Sequence, residues 1–395
     1  MRWLNAPLGK IAPVESSTVR FSPSEPVWHL TLDQIESHTG YIINKKIAPA
    51  SEAGTSTYVF DDGNVLYSKL RPYLNKVFCP AEPGISTTEL VPLRPREGLV
   101  DRRYLTYYLR SNNFLRFANV AVAGVKMPRM IMRKFWEHEV PLPPPSEQKR
   151  IAEIIDQADE LRKKRAQADM NFARITVGLF YERFGDPISN PRHLRKKKLG
   201  ELIKVKSGEF LPSKDMAPTG EYPVYGGNGI AGYHSRFMFP DRMIVLGRVG
   251  EYCGVIHYTA PNCWVTDNAL YVSERSSELD LIYLIEALKV ANLNKYAGRA
   301  GQPLISGSRI YPVEILVPDL CEQQAFAQIV NGVSAVRTKQ VAAGQKLQQQ
   351  FDVILHRAFA GELTAKWREA NLKMLRAEMV EQARLLDIAK EDLPC

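Results

Sequence analysis

The sequence predicts a mixed α/β (α+β) protein in which two strand-rich domains are joined by two long helices. The helices are expected to form an antiparallel coiled coil around a pseudo-two-fold axis. The main observation is a repeat: the motif that ends in Glu147-Gln148 returns as Glu322-Gln323, 175 residues later. A strand-rich segment precedes each copy, and a long helical pattern follows it. A repeat of this length is a duplicated domain with its helix, because solenoid units have only ~20–50 residues.

The helical patterns carry apolar or small residues at alternating steps of three and four, which is heptad spacing. In the first copy these are Ile151, Ile154, Ala158, Leu161, Ala168, Phe172, Ile175 and Leu179, and in the second Phe326, Ile329, Val333, Val336, Ala343, Leu347 and Ile354. A long polar residue interrupts both seams at the same register, Arg165 in the first and Gln340 in the second. A second interruption, at Gln350, has no counterpart.

Each pattern runs for roughly 38 residues, on the order of 55 Å of helix. One globular domain cannot bury a narrow seam of that length, so we expect the helices to pack on each other. Antiparallel packing would bring Arg165 and Gln340 together near the middle. The alternative is two long helices that lie on separate domains. The expected helix-pair interface contains Ile154, Leu161, Arg165, Phe172, Ile329, Val336, Gln340 and Leu347.

The ends of these helices carry recognisable signals. Ser146 is the predicted cap of the first helix, and Asp319 with Glu322 fits a capping box for the second. Gly361 is the predicted end of the second helix. The predicted segments are therefore domain 1 at 1–145, a helix at 146–185, domain 2 at 186–318, a helix at 319–361 and a helical extension at 362–395.

The domains share an order of short strands rich in β-branched and aromatic residues. The strand predictions are residues 57–60, 64–67, 243–246 and 254–258, and the helix predictions are Arg103 to Phe117 and Leu279 to Leu293. The two domains align over residues 64–73 with 243–252 and over 86–89 with 264–267. Gly124 with Pro128 aligns with Gly301 and Pro303 or a neighbour. The two domains share the order of their strands and turns while their side chains differ, as expected of two modules that contact different targets.

Composition narrows the class of protein. The chain of 395 residues has 45% hydrophobic and 24% charged residues, which is typical of globular proteins with two or three domains. No apolar run reaches the ~20 residues of a membrane span, and the start does not resemble a signal peptide. Five scattered cysteines argue against disulfides or zinc and favour the reducing cytoplasm. A net charge of +9 suits a polyanionic partner.

The sequence resembles the specificity (S) subunits of Type I restriction-modification systems over nearly its whole length. The resemblance rests on residues 141–148 and their partner 318–323, on Tyr225-Gly226-Gly227-Asn228-Gly229 followed by residues 245–250, and on residues 357–364. It implies that each domain is a target recognition domain that reads one part of a bipartite, asymmetric DNA site. It also implies that the paired helices set the spacer and dock two modification (methyltransferase) subunits. One departure is residues 317–321, where the first copy is proline-rich and the second is not.

Recognition of double-stranded DNA needs Arg or Lys for guanine, Asn or Gln for adenine, and basic residues for phosphates. The candidates lie on turns next to predicted strands: Ser68, Lys69, Arg71, Lys126 and Arg129 in domain 1, and Asn228, Arg236, Arg248, Arg299 and Gln302 in domain 2. Each of them is also compatible with a solvated surface residue. Lys69 and Arg248 are the favoured pair because both aligned positions are basic. The basic run 192–198 is more typical of a solvated linker than of a phosphate site.

No catalytic or metal site is predicted. The sequence lacks the phosphate-binding glycine loops and the Asn-Pro-Pro-Tyr type of motif of adenine methyltransferases. Glu147-Gln148-Lys149 matches a nuclease signature without a carboxylate partner. The resemblance implies that S-adenosylmethionine, ATP and Mg²⁺ belong to the modification and restriction (motor/nuclease) subunits. The alternatives are an S subunit of another restriction-modification type, a divergent nuclease or methyltransferase, and a scaffold that binds only protein.

Overall fold

The computed structural model describes residues 2–298 and 303–389. The chain forms two compact units. Unit 1 comprises the residues up to Lys164 together with those from Gly344 onward, and unit 2 comprises Arg165–Ala343. Each long helix thus contributes one part of its length to each unit. The units therefore group the residues differently from the predicted segments, which separate domains from helices.

The predicted strand-rich character of both domains is confirmed. Unit 1 contains the strands β1 Leu4–Pro7, β2 Pro26–Leu30, β3 Ile47–Pro49, β4 Thr57–Phe60, β5 Val65–Ser68, β6 Val77–Phe78, β7 Gly84–Thr87, β8 Leu90–Leu93, β9 Val122–Ala123, β10 Arg129–Met130 and β11 Glu139–Leu142. Unit 2 contains β12 Lys196–Lys198, β13 Ile203–Ser207, β14 Tyr222–Gly226, β15 Gly229–His234, β16 Ile244–Gly247, β17 Ile256–Tyr258, β18 Trp264–Val265, β19 Ala269–Arg275 and β20 Glu314–Leu316.

The α-helices are α1 Leu8–Ile11, α2 Arg102–Arg110, α3 Asn112–Val120, α4 Met132–Glu137, α5 Pro145–Ala173, α6 Ile175–Phe184, α7 Leu199–Leu202, α8 Leu281–Ala291, α9 Gly307–Ile310, α10 Leu320–Phe359, α11 Ala365–Ala370 and α12 Leu372–Leu385. Short 3₁₀ turns occupy Leu32–Gln34, Ala50–Glu52, Pro72–Leu74, Ser213–Asp215 and Leu293–Tyr296. The predicted helix from Arg103 to Phe117 is two helices, because the Ser111 hydroxyl accepts a hydrogen bond from the Phe114 N–H and caps a new one.

The larger sheets of the two units have equal numbers of strands, but equivalent strands lie in sheets of different size: β5 pairs with β6 and β8 in a three-stranded sheet, and its counterpart β16 pairs with β17 and β19 in a four-stranded sheet. Each has a four-stranded sheet, a three-stranded sheet and a two-stranded antiparallel ribbon, β1 with β11 and β12 with β20. In unit 1 the larger sheets have the orders β3-β2-β7-β4 and β6-β5-β8, and in unit 2 β13-β19-β16-β17 and β15-β14-β18. Each unit also has its own apolar core, which includes the fully buried Tyr104 in unit 1 and Tyr283 in unit 2.

The Gln of the repeated motif joins each long helix to its domain. In unit 1 the Gln148 side chain donates to the carbonyls of Leu99 and Pro143, both at 2.8 Å, and accepts from the Asp101 N–H at 2.7 Å. In unit 2 the Gln323 side chain makes the same three bonds, to the carbonyls of Glu278 and Pro318 and from the Asp280 N–H. Asp101 and Asp280 in turn cap α2 and α8. The motif is therefore a buried structural junction.

The first long helical stretch is interrupted at Arg174, between α5 and α6, whereas α10 runs for 40 residues without a break. Their opposite ends meet within each unit. In unit 1 the Arg162 guanidinium lies 4.1 Å from the centre of the Phe351 ring. In unit 2 the rings of Phe184 and Phe326 lie 5.2 Å apart, and the Arg165 guanidinium donates to the Gln340 carbonyl. These contacts have the antiparallel order, while continuous coiled-coil pairing stays a prediction.

The predicted helix-pair interface is wrong at three residues. Leu161, Ile329 and Val336 are exposed, by 57%, 45% and 49%. Arg165, Phe172, Gln340 and Leu347 are partly buried, as is Ile154, whereas its neighbour Ile155 is fully buried.

At several positions of the predicted seam, the buried residue is the one that directly follows the predicted residue in the sequence. Val330, Phe351 and Leu355 are buried in place of Ile329, Gln350 and Ile354. In the first helix the inward positions include Asp159 and Arg162, because Tyr41 donates a hydrogen bond to the Asp159 carboxylate at 2.7 Å and Phe351 receives the Arg162 cation.

The predicted cap Ser146 differs from the structure, whereas Asp319 holds the predicted N-cap position directly before α10, and its capping box with Glu322 stays a prediction. Helix α5 begins at Pro145, so Ser146 lies within it, and the Ser146 hydroxyl donates to Glu378 instead of capping. Helix α10 begins after Asp319, whose carbonyl accepts from the N–H groups of Glu322 and Gln323. Gly361 follows the end of α10 with a φ of +76°, in agreement with the prediction, because glycine adopts the left-handed region without strain.

The C-terminal extension is helical and packs on unit 1. The Gln382 side chain on α12 donates to the same two carbonyls as Gln148, at 3.1 and 3.0 Å. The fully buried Glu147 carboxylate accepts hydrogen bonds from Thr364 at 2.6 Å, from Arg368 at 2.8 Å and from the Trp3 indole at 3.1 Å. The extension thus covers the start of the first long helix.

Candidate nucleic-acid interface

In unit 1 the loop after β5 is hydrogen-bonded to the segment around β9 and β10. The Lys69 carbonyl accepts from the Met130 N–H at 2.8 Å, and the Arg71 N–H donates to the Pro128 carbonyl at 2.7 Å. Arg71 has a left-handed backbone with a φ of +49°, which turns the chain sharply at the end of the strand. The structure therefore brings the candidates Lys69, Arg71 and Arg129 together.

The corresponding loops of unit 2 have the same main-chain hydrogen bonds, although their side chains differ. The Arg248 carbonyl accepts from the Ile305 N–H at 2.8 Å, and the Gly250 N–H donates to the Pro303 carbonyl at 2.9 Å. Arg248 also follows β16 as Lys69 follows β5. Lys69 and Arg248 therefore occupy equivalent positions, as the alignment predicts, and Pro303 is the counterpart of Pro128.

The candidate side chains of unit 1 differ in their exposure and in whether they already form an ion pair. Arg71 and Lys126 are exposed, and Lys69 is partly buried. Arg129 is exposed but forms an ion pair with Glu89 at 3.0 Å, so part of its charge is already balanced. Lys126 lies in an exposed turn beside Val125, whose side chain is 99% exposed. The basic surface of unit 1 thus consists of Lys69, Arg71 and Lys126, with Arg129 at its edge.

Ser68 is not part of this surface, and the prediction for it is wrong. Its side chain is buried, and its hydroxyl donates to the Leu70 carbonyl at 2.9 Å. All four residues of β5 are buried, so the strand places no side chain on the surface. Arg299 and Gln302 lie outside the described residues.

In unit 2 the candidates Asn228 and Arg248 lie on two adjoining turns, and Arg236 does not join them. Asn228 is exposed in the tight turn between β14 and β15. A Cβ on the preceding Gly227 would lie 3.3 Å from the Asn268 carbonyl oxygen and 3.5 Å from that of Val249, so the turn touches the loop that carries Arg248. Arg236 is exposed after the far end of β15.

The Arg248 guanidinium already has protein partners. It donates to the Ser207 hydroxyl at 2.9 Å and to the Asp267 carbonyl at 3.1 Å. Beneath the Asn228 turn, burial lowers the pKa of His257, which favours a neutral imidazole at neutral pH. The Arg248 side chain is thus held by hydrogen bonds, whereas Asn228 and Arg236 are exposed.

The structure decides the exposure of three tyrosines for which the sequence favours a place in the core or at the rim over base stacking. Tyr73 and Tyr252, which are aligned in the two copies, are equally exposed, by 46% and 45%, whereas Tyr225 is buried. This alignment of Tyr73 with Tyr252 is the sequence feature that indicates their equivalence. In unit 2, Asn228 also lines a cavity of about 820 Å³ with the exposed Phe210 and Ile230. Exposed aromatic residues beside basic ones are suited to nucleic-acid contact.

Two residues of the basic run at 192–198 form ion pairs within unit 2. Arg195 and Lys197 both pair with Glu278, at 2.7 and 2.5 Å, and Lys196–Lys198 form β12. Among residues 2–298 and 303–389, no cluster of His, Cys, Asp or Glu has the geometry to hold a metal ion. No helix in the same ranges is long and apolar enough to cross a membrane.

A family model described as "Type I restriction modification DNA specificity domain" matches residues 35–168 and 191–347. Among curated proteins, the chain is similar to the Type I restriction enzyme EcoprrI specificity subunit of Escherichia coli, with 27% identity over 141 residues. It is also similar to the EcoDI specificity subunit of Escherichia coli, with 26% identity over 160 residues. These alignments span 35% and 40% of this chain and 35% of the length of each relative.

A solved structure described as the structural basis of complex assembly and conformational transition of the type I R-M system has a similar fold. The TM-score is 0.56 at 20% identity, and the match covers 92% of this chain and 98% of the other. At this identity the likeness concerns the fold alone.

Proposed function

Because the chain belongs to the family of Type I restriction-modification DNA specificity domains, we propose that it is the sequence-specific DNA-binding subunit of such a complex. Each recognition domain reads one part of a bipartite, asymmetric site in double-stranded DNA. The two long helices set the spacer between the parts and dock two modification subunits. The chain acts in the cytoplasm.

The observation that carries this proposal is the repeated frame with changed side chains. The loops that end at Pro128 and Pro303 have the same main-chain hydrogen bonds, while Lys69 stands where the second copy has Arg248 and Arg71 where it has Gly250. Base edges are read by side chains, and the backbone frame only positions them. Two sets of loops with the same main-chain hydrogen bonds and different side chains are suited to reading two different half-sites.

The length of the helices supports the role of a spacer. Helix α10 has 40 residues and spans about 60 Å, and a turn of B-DNA is ~34–36 Å. Two recognition domains linked by such helices can therefore read DNA segments more than one turn apart.

The exposed apolar residues of the long helices are suited to protein partners. Leu161, Ile329, Val336 and Val353 are each exposed by 45% or more. Exposed apolar surface is a common mark of a binding face. We assign it to the modification subunits, which would supply S-adenosylmethionine chemistry. Restriction subunits would supply ATP- and Mg²⁺-dependent cleavage in the full complex, and this chain would contribute no catalytic residue.

Mapping methylated adenines tests the proposal. Cells that express the chain with its modification subunits should methylate a motif of two defined parts separated by a spacer of fixed length. Cells that express the modification subunits alone should lose that motif. An uninterrupted motif, or methylation that does not depend on the chain, would contradict the proposal. Nicking or methylation of DNA by the purified chain alone would refute the non-catalytic role.

A further inference from the structure

A charged cavity lies in unit 1 between the first recognition domain and helix α5. Its volume is about 270 Å³. Helix α2 contributes Arg102, Arg103 and Arg110 to its wall, and α5 contributes Asp156, Asp159 and Lys163. No residue of this cavity belongs to the candidate DNA surface described above.

Arg110 is a buried cation without a close partner. Its side chain is only 8% exposed, and its nearest carboxylate oxygen, on Asp159, is 4.0 Å away. Within the described part of the chain its guanidinium forms no hydrogen bond, and it lies 5.6 Å from the centre of the Tyr107 ring. Burial of a charge without hydrogen bonds costs free energy, so a bound anion would stabilise the Arg110 guanidinium.

The two carboxylates of the cavity already have partners. Asp156 accepts from Arg103 at 2.7 Å and from the Tyr107 hydroxyl at 2.6 Å. Asp159 accepts from the Tyr41 hydroxyl at 2.7 Å and from Arg162 at 3.0 Å, and the Lys163 ammonium lies 3.8 Å from its second carboxylate oxygen. The four cations that line the cavity exceed its two carboxylates by two charges.

The second copy shows that the fold does not require this arrangement. Counting from the equivalent helix caps Asp101 and Asp280, the counterpart of Arg110 is Lys289 on α8. Lys289 is paired with Glu286 at 2.6 Å, so its charge is balanced within its own helix. Glu286 is the counterpart of Tyr107, which carries no charge. The unbalanced cation is therefore particular to the first copy.

We propose that this cavity binds a phosphate dianion, either free phosphate or the phosphate group of a small monoester. Arg110 supplies the buried guanidinium, and Arg102 and Lys163 supply further positive charge from opposite walls. Guanidinium groups match the oxygens of phosphate and form strong charge-assisted bonds with them. The volume lies just below the usual range of ligand pockets, about 300–1,000 Å³, which excludes a large ligand.

The test is a calorimetric titration of the full chain, without DNA, with inorganic phosphate and separately with glycerol 3-phosphate. Saturable, mutually competitive binding is expected. Lys163→Ala should weaken it about fivefold, the loss expected for one partly exposed charge. Lys164→Ala is the matched control, because Lys164 is the neighbouring exposed lysine, pairs with Glu160 at 2.8 Å and does not line the cavity. Tighter binding of glycerol 3-phosphate would identify the ligand as an ester, tighter binding of inorganic phosphate would identify free phosphate, and equal binding would show that the cavity recognises the phosphate group alone.

Absence of saturable binding up to ~10 mM ligand, or equal binding by the Lys163→Ala and Lys164→Ala variants, would overturn the proposal. Arg110→Leu gives a second readout: it should abolish binding while the folded chain persists, because removal of an unpaired buried charge relieves its desolvation. Should that variant fail to fold, the two lysine variants still decide. None of these outcomes depends on recognition of DNA, so failure here leaves the proposed function untouched.

Discussion

Some residues in equivalent places differ between the copies, and others are the same. Lys69 follows β5 where Arg248 follows β16, and the Arg248 guanidinium donates to the Ser207 hydroxyl and the Asp267 carbonyl. Gln148 and Gln323, by contrast, keep the same three hydrogen bonds. The glutamines that join each long helix to its domain are the same in both copies, whereas the residues of the candidate DNA-binding loops differ.

We expect Lys69→Ala and Arg248→Ala to weaken recognition of different parts of the DNA site. A lost contact to a base edge costs about 1–3 kcal/mol at the affected position. Affinity for duplexes with single substitutions, measured on the assembled complex, reports which part each residue reads. Each variant is the control for the other. An equal loss for every sequence would instead assign both residues to phosphates.

His138 makes the stability of unit 1 dependent on pH. The centre of its ring lies 4.2 Å from that of Phe117, and burial lowers the pKa of His138 to about 4. The unfolded chain binds a proton near pH 6.5, while the folded chain does so only near 4. Stability should therefore be full above pH 6.5 and fall, by up to about 2 kcal/mol, as the pH drops to 4.

Urea unfolding at pH 7 and pH 5 measures this effect. His138→Gln should flatten the pH dependence, since no buried imidazole is left to resist protonation. His356→Gln, which removes an exposed imidazole, is the control. An unchanged slope in His138→Gln would assign the acid sensitivity to other groups.

At the scale of elements, the two long helices explain why the predicted seam was partly misplaced. Ile154 and Ile155 are both apolar, as are Ile329 and Val330, so a heptad can be drawn through either member of each pair. The structure buries Ile155 and Val330. Contacts distant in sequence, such as Tyr41 with Asp159, decide between the two registers.

The C-terminal extension should stabilise unit 1 through the pair of Arg368 and Glu147. Glu147 is fully buried, so Arg368→Met would leave its charge without its cation and cost about 3 kcal/mol. Adding Glu147→Gln to that variant should recover part of the loss, because the uncompensated charge is removed. Thermal unfolding of both variants checks this, with Arg376→Met, an exposed arginine of α12, as the control. Equal melting temperatures for Arg368→Met and Arg376→Met would contradict it.

For the whole molecule, both long helices contribute residues to each compact unit, so the proposed function predicts that the spacer of the DNA site depends on helix length. Insertion of seven residues after both Ala168 and Ala343 keeps the heptad register and adds about 10 Å to each helix. We expect the spacer of the methylated motif to grow by about three base pairs, since each pair rises ~3.4 Å, while both defined parts stay the same. The methylated motif of the variant measures this. An unchanged spacer would show that the helices do not set it.

The sequence by itself determined the duplication, the two long helices, the strand-rich domains and the equivalence of Lys69 with Arg248, because these follow from local periodicity and from comparison of the two copies. Only the tertiary structure decided that Ser68 is buried, that Arg129 is paired with Glu89 and which face of each helix turns inward. It also decided where the C-terminal extension packs and that Arg110 lacks a close counter-charge. These properties depend on groups far apart in the chain, whose approach no local pattern encodes.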